Sequence, residues 1–182
     1  MFMALLFLIT GLGVGVYYFW QATHPAKNNK PLNQQASNCS ISLVQGSAVL
    51  PAPEIFKPDG AVSQLSTTDL EAGSGAEAKA GSCITVKYYG TLAASGQSFD
   101  EDFTKPSALK LQLGVGQVIP GWDQGVVGMK AGGLRRLVIP FNLAYGPRGA
   151  CKSYKADQKT CDVYAIPPNS DLIFVVKLLS IQ

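Results

Sequence analysis

The segment DLIFVVKLL, residues 171–179, constrains the fold more than any other stretch, because it is nearly continuous in apolar residues and long enough for a strand. It reads as a central strand of a sheet. Upstream, apolar residues alternate with polar ones: Ile84, Val86 and Tyr88 share one face, Leu109, Leu111 and Leu113 another, and Leu137 pairs with Ile139. These patterns predict half-buried strands from position 68 onward. Nineteen glycines and eleven prolines imply frequent turns, which suits short strands better than a helical bundle. One helix is expected. In PGWDQGVVGM, residues 120–129, Trp122, Val126 and Met129 fall at i, i+4 and i+7, with Pro120 suited to the first turn and Gly132-Gly133 suited to ending it. One short helix on an antiparallel sheet is an α+β fold.

At 182 residues, 47% hydrophobic and 15% charged, the chain carries enough apolar material for a folded domain and is not of disordered composition. Its net charge of +3 is small and scattered, so a nucleic-acid partner is not expected. The single histidine, His24, lies outside the expected domain, which excludes histidine-based triads and histidine-rich metal sites. The glycine clusters at 73–75 and 114–116 lack the spacing and the Lys-Ser/Thr of a phosphate loop, leaving nucleotide binding without support. Asp100, Glu101 and Asp102 form an acidic run of the kind usually found in solvated turns, and neither a metal nor another cofactor is expected.

The N-terminus has its own logic. Residues 2–20, FMALLFLITGLGVGVYYFW, contain no charge and no proline and match the ~20 residues needed to cross a bilayer. Tyr17, Tyr18 and Trp20 cluster at the end, where amphipathic rings favour the membrane boundary. No basic residue precedes the run, unlike a signal peptide, so a transmembrane anchor over 1–20 is expected. Residues 21–67 are rich in Pro, Asn, Gln and Ser and read as a tether, with the folded domain over 68–182. Lys27 and Lys30 after the anchor favour a cytoplasmic domain. Four cysteines without zinc spacing favour the opposite side, and an extracytoplasmic placement, periplasmic or cell-surface, is the expectation. Cys151 and Cys161 flank a short polar stretch that a disulfide would close, two unrelated thiols being the alternative. Whether Cys39 pairs with Cys83 stays open, since four cysteines allow three pairings.

Five blocks, VKYYGTL (86–92), GQSFD (96–100), GQVIPGWDQGVVGMKAGG (116–133), LAYGPRG (143–149) and IPPNSDLIFVVKLL (166–179), closely resemble FKBP-type peptidyl-prolyl cis-trans isomerases, in the family's order. The resemblance covers roughly residues 68–182. It implies a twisted antiparallel sheet of about five strands wrapped around one short helix, and catalysis of rotation about X-Pro bonds.

The same resemblance implies a site. Tyr88, Phe99, Val118, Ile119, Trp122, Ile166 and Phe174 would bind substrate, with Trp122 as the floor beneath a proline ring. Tyr145 would donate to a substrate carbonyl and Asp100 would supply a polar wall, the two groups assigned to catalysis. Leu109 stands where the family often has an aromatic and Gln117 where it often has an acid, so peptides are firmer ligands than tacrolimus-type macrolides. Residues 147–165, carrying Cys151 and Cys161, overhang the pocket in the family. The implied partners are Pro-containing polypeptides, here exported proteins that need help folding. The competing function is a non-catalytic chaperone or scaffold holding Pro-containing segments.

Overall fold

The computed structural model describes residues 39–155 and 160–182, and the apolar run 2–20 lies outside them. Among the described residues no helix is long and apolar enough to cross a membrane. The elements run β1 (Ser42–Gln45), β2 (Ser66–Glu71), β3 (Cys83–Leu92), β4 (Ser98–Glu101), β5 (Ser107–Gln112), α1 (Pro120–Gly125), β6 (Leu134–Ile139), β7 (Ala150–Tyr154), β8 (Cys161–Ile166) and β9 (Leu172–Ile181). An antiparallel sheet takes the order β1-β5-β3-β9-β6-β2, with β4 added to β3. β7 and β8 pair separately as a hairpin.

This sheet has seven strands rather than about five. β1 and β4 are only four residues long, and every residue of β1 and β2 is exposed, so neither length nor hydropathic alternation announces them. The expected strands are present, and β9 lies between β3 and β6. Its apolar run follows from that position. Leu172, Phe174, Val176 and Leu178 face the main core with Trp122, Val126 and Leu137. Ile173 faces the other way, packing with Val138 and Ala93 beneath Phe56 and Val62.

Phe56 and Val62 belong to the segment whose composition suggests a tether. The described residues belong to one compact unit, and the stretch between residue 39 and β2 contributes β1, the cover over the outer face and a Cys39–Cys83 disulfide. The Arg136 guanidinium lies 3.6 Å above the Phe56 ring, a cation–π contact that fixes the cover.

α1 begins with Pro120 in its first turn, as the sequence suggests, and buries Trp122. It ends earlier than expected. Gly128 adopts φ +82°, and the chain turns back to form an antiparallel bridge between Glu77 and Lys130, so Val126 and Met129 are buried without being helical. Gly125 lets the helix lie close on the sheet, because a Cβ there would sit 2.9 Å from Leu137 Cδ2. Arg135 fixes the same contact electrostatically. Its Nε and Nη2 donate to the Asp69 carboxylate at 2.6 and 3.1 Å, and Nη1 donates to the Gly125 and Val127 carbonyls, both at 3.0 Å. The guanidinium bonds hold the Asp69 carboxyl below its ordinary pKa.

Candidate active site

Beside α1 lies an open cavity of about 280 Å³ lined by Ile41, Tyr88, Phe99, Asp100, Leu109, Gln117, Val118, Ile119, Trp122, Tyr145 and Phe174. Trp122 meets Phe174 edge-on at 5.2 Å between ring centroids and Tyr88 at 5.6 Å, while Phe174 meets Phe99 at 5.5 Å, also edge-on. Each T-shaped pair is favourable beyond the area it buries. Gly90 makes room for them: a Cβ there would lie 2.8 Å from both the Phe99 and Phe174 rings.

The neighbouring wall is pinned by Asp123 of α1, whose carboxylate accepts from Gly114 N–H at 2.8 Å and Gly116 N–H at 2.9 Å. The chain leaving that turn carries Gln117, Val118 and Ile119 to the cavity.

Polar groups gather on one side. The Tyr88 hydroxyl donates to Asp100 Oδ2 at 2.7 Å, and Asp100 Oδ1 accepts from Glu101 N–H at 2.9 Å. Burial, reinforced by that bond to Asp100, pushes the Tyr88 phenol far above its ordinary pKa. Tyr145 lies between two single-turn 3₁₀ segments, Phe141–Leu143 and Gly146–Arg148, and is 42% exposed. Burial of the phenol and the nearby Asp100 raise its pKa too, so at neutral pH it keeps its proton and can donate a hydrogen bond.

The cavity therefore brings together eight of the nine residues expected there. Ile166 is the exception: 3% exposed at the end of β8, it packs in the main core and does not line the cavity. Leu109 and Gln117, the two positions that depart from the residues usual in the resembled family, do line it. Ile41 lines it too, and the sequence gives little sign of this, since apolar alternation there lasts only from Ile41 to Leu43.

A second layer was hidden in the acidic run. Asp102 is no solvated turn residue; it is 2% exposed, and its Oδ1 accepts from Tyr88 N–H at 2.6 Å. β3 and β5 part company after Val86 and Leu109, and the carboxylate serves the Tyr88 N–H that the ladder leaves unpaired. Lys87, fully buried, serves the carbonyls of the same split, donating from Nζ to the oxygens of Asp102, Lys105 and Ser107 at 2.7–2.8 Å. Burial pushes the Asp102 pKa up to about 6, against the opposing pull of the Tyr88 N–H and Lys87.

The segment 147–165, which the resemblance would place over the pocket, contributes most of the β7–β8 hairpin, closed by a Cys151–Cys161 disulfide, and none of its described residues lines the cavity. The middle of its connection, residues 156–159, lies outside the described residues.

An apolar, aromatic-floored cavity with a carboxylate and a tyrosine hydroxyl at its edge can bind a small ring and a carbonyl, and its lining contains no cysteine, serine, histidine or lysine to act as a nucleophile. Comparison with known proteins gives the same picture. Residues 75–179 match the model of the FKBP-type peptidyl-prolyl cis-trans isomerase family. An FK506-binding protein of Streptomyces anulatus is 42% identical over 130 residues, covering 71% of this chain and 96% of the relative. One from Neisseria meningitidis is 45% identical over 113 residues, covering 62% and 92%. Among solved structures, AtFKBP13 superposes with a TM-score of 0.55 at 38% identity, over 64% of this chain and 91% of that one. FkpA from Escherichia coli gives 0.53 at 38% identity, over 65% and 48%. With the fold, the cavity and the family match in agreement, the chain belongs to the FKBP-type peptidyl-prolyl cis-trans isomerases and is an isomerase of X-Pro peptide bonds.

Proposed function

We propose that the cavity seats the proline ring of a polypeptide on Trp122, that Tyr145 donates to a substrate carbonyl and that Asp100, held by Tyr88, forms the polar wall. The cluster of edge-on rings around Trp122 carries this reading, because it offers an apolar, ring-sized floor beside two polar groups.

The chemistry needs no bond to break. Resonance gives the X-Pro bond its partial double-bond character and a barrier of about 18–20 kcal/mol. Halfway through rotation the amide loses that resonance and much of its dipole. A water-poor apolar cavity therefore favours the twisted amide over the planar one, and a donor that holds one carbonyl fixes one side while the other turns. FK506-type ligands, bound by the named relatives, would enter the same cavity, with Leu109 and Gln117 changing the wall they meet.

The same proposal extends to the whole chain. Residues 1–20 anchor it in a membrane, residues just beyond lead to the domain, and the domain lies outside the cytoplasm, where it assists folding of exported proteins. Two disulfides support that placement, because such bonds persist in oxidising compartments.

The test of the site is catalysed cis-trans exchange of a proline peptide. Tyr145→Phe is expected to lower kcat/KM by the worth of one hydrogen bond, roughly 0.5–1.5 kcal/mol. Unchanged activity would remove Tyr145 from the donor role. For placement, a reporter active only outside the cytoplasm, fused after Gln182, is expected to be active, and deleting residues 1–20 is expected to release the domain from membranes.

A further inference from the structure

We infer that Ile41 is a specificity-determining residue: a strap outside the family-matched segment brings an aliphatic wall to the cavity and selects the side chain next to the substrate proline. Ile41 lies beyond residues 75–179, yet it lines the cavity and is 51% exposed there. This inference rests on the reading of the cavity as the proline site.

The strap is held on three sides. Two residues before Ile41, the Cys39–Cys83 disulfide ties it to the start of β3. Immediately after it, β1 pairs with β5, placing Leu43 opposite Leu109. Between them, Gln117 Nε2 donates to the Cys39 carbonyl at 3.1 Å, while Gln117 Oε1 accepts from Gln112 N–H at 2.8 Å.

Gln117 and Leu109 are the two cavity positions where the sequence departs from the family pattern, and each engages the strap. Gln117 presents the amide N–H that the Cys39 carbonyl needs, which a carboxylate could not supply. Leu109 is smaller than an aromatic residue and faces the strand that carries Ile41 toward the cavity. Side chains two apart on an extended chain share a face, so Ile41 stands on the side of Leu43 and Leu109. The wall that an aromatic ring would form is thereby rebuilt from two aliphatic side chains contributed by separate segments. A half-exposed aliphatic group at the lip of a proline cavity contacts what flanks the ring, and it favours apolar flanking side chains over small ones.

The experiment compares the 182-residue chain with Ile41→Ser, Ile41→Val and Val44→Ser, the last on the opposite face of β1. Each is assayed by kcat/KM on proline peptides carrying Ala or Leu on either side of the proline, with Tm recorded. Ile41→Ser is expected to lower kcat/KM roughly five- to tenfold on Leu-flanked peptides and less than twofold on Ala-flanked ones, at unchanged Tm. Ile41→Val is expected to restore the Leu preference, and Val44→Ser to leave both unchanged. An equal loss on all peptides, or none on any, overturns the inference. Trp122→Ala separates the two levels: if it abolishes turnover while Ile41→Ser changes no ratio, only the strap inference fails, whereas full turnover in Trp122→Ala overturns the cavity reading beneath it.

Discussion

The Tyr88 hydroxyl donates to Asp100 Oδ2 at 2.7 Å, so the polar wall of the cavity is a pair and not a lone carboxylate. A bond to a carboxylate is worth roughly 1.5–3 kcal/mol, about twice a neutral one. Tyr88→Phe frees Asp100 to turn toward solvent, and Asp100→Ala leaves a half-buried hydroxyl without its acceptor. Each is expected to lower kcat/KM about tenfold, and the double variant to be no worse than the poorer single. A double-mutant cycle measures this coupling; strict additivity would mean that the two act separately.

Gly90 and Trp122 are expected to fail in different ways. Gly90→Ala pushes a methyl against the Phe99 and Phe174 rings, where its Cβ would lie 2.8 Å from each, so the cavity wall shifts. Overpacking of this kind destabilises by about 1–3 kcal/mol. Trp122→Ala instead removes a 3%-exposed ring from the core, costing about 3–5 kcal/mol and emptying the floor. Urea unfolding beside peptide assays should show lost activity in a mostly folded Gly90→Ala, and losses in both for Trp122→Ala.

How far the sequence carried depended on which interactions leave a periodic trace. β3, β5, β6 and β9 do, because Ile84, Leu111, Leu137 and Val176 alternate or cluster as buried strands must. The site aromatics are spread over β3, β4, α1 and β9, so no local pattern joins them; the family blocks do. Asp102 was illegible for another reason. Its role depends on where β3 and β5 separate, a tertiary event, and in sequence it is one acid among three. Ile166 shows the converse: its block matches, but at the end of β8 the side chain turns into the core.

The Asp102 carboxyl gives stability a pH dependence of definite sign. Its pKa rises from 3.8 to about 6 on folding, so the folded chain holds this proton more tightly than the unfolded one. The group's contribution is fully present below pH 4 and is lost as pH climbs through about 6. Two pKa units correspond to about 3 kcal/mol. The stability of Asp102→Asn relative to the parent is therefore expected to improve between pH 4 and pH 7 by up to that amount, because Asn carries no proton to lose. Denaturant titrations at both pH values decide it, and a flat difference would show that Asp102 titrates alike in both states.

The Arg135–Asp69 pair works in the opposite direction and reaches the site through α1. Arg135 ties the end of the helix to β6 and β2, so Arg135→Leu strands the Gly125 and Val127 carbonyls. The loss is expected to be about 1–3 kcal/mol, with kcat/KM falling as Trp122 loosens. Because Arg135 lowers the Asp69 pKa, part of the parent's advantage should fade as pH drops below about 4. Comparing the two proteins at pH 3 and pH 7 measures that part.

The last prediction concerns the Cys151–Cys161 bond, which closes the β7–β8 hairpin at a sequence separation of 10. Closing a loop of that length removes roughly 3 kcal/mol of chain entropy from the unfolded state. Among the described residues the hairpin pairs with no other strand, its pairing is interrupted at three register shifts, and most residues of its two strands are exposed. Packing therefore adds little, and the disulfide carries much of its order. The hairpin follows Tyr145 by a few residues: Gly149 N–H donates to the Gly146 carbonyl at 3.4 Å and Asn169 N–H to the same oxygen at 3.0 Å, joining both ends of the excursion beside Tyr145. Loosening the hairpin should release Tyr145 from its preset position and leave the seven-stranded sheet intact. Cys151→Ser/Cys161→Ser is the cleaner form of the experiment, since a reductant would also reach Cys39–Cys83. It is expected to lower kcat/KM through KM, with increased amide exchange confined to residues 145–166. Equal activity and equal exchange in the variant would show that the hairpin holds its shape without the bond.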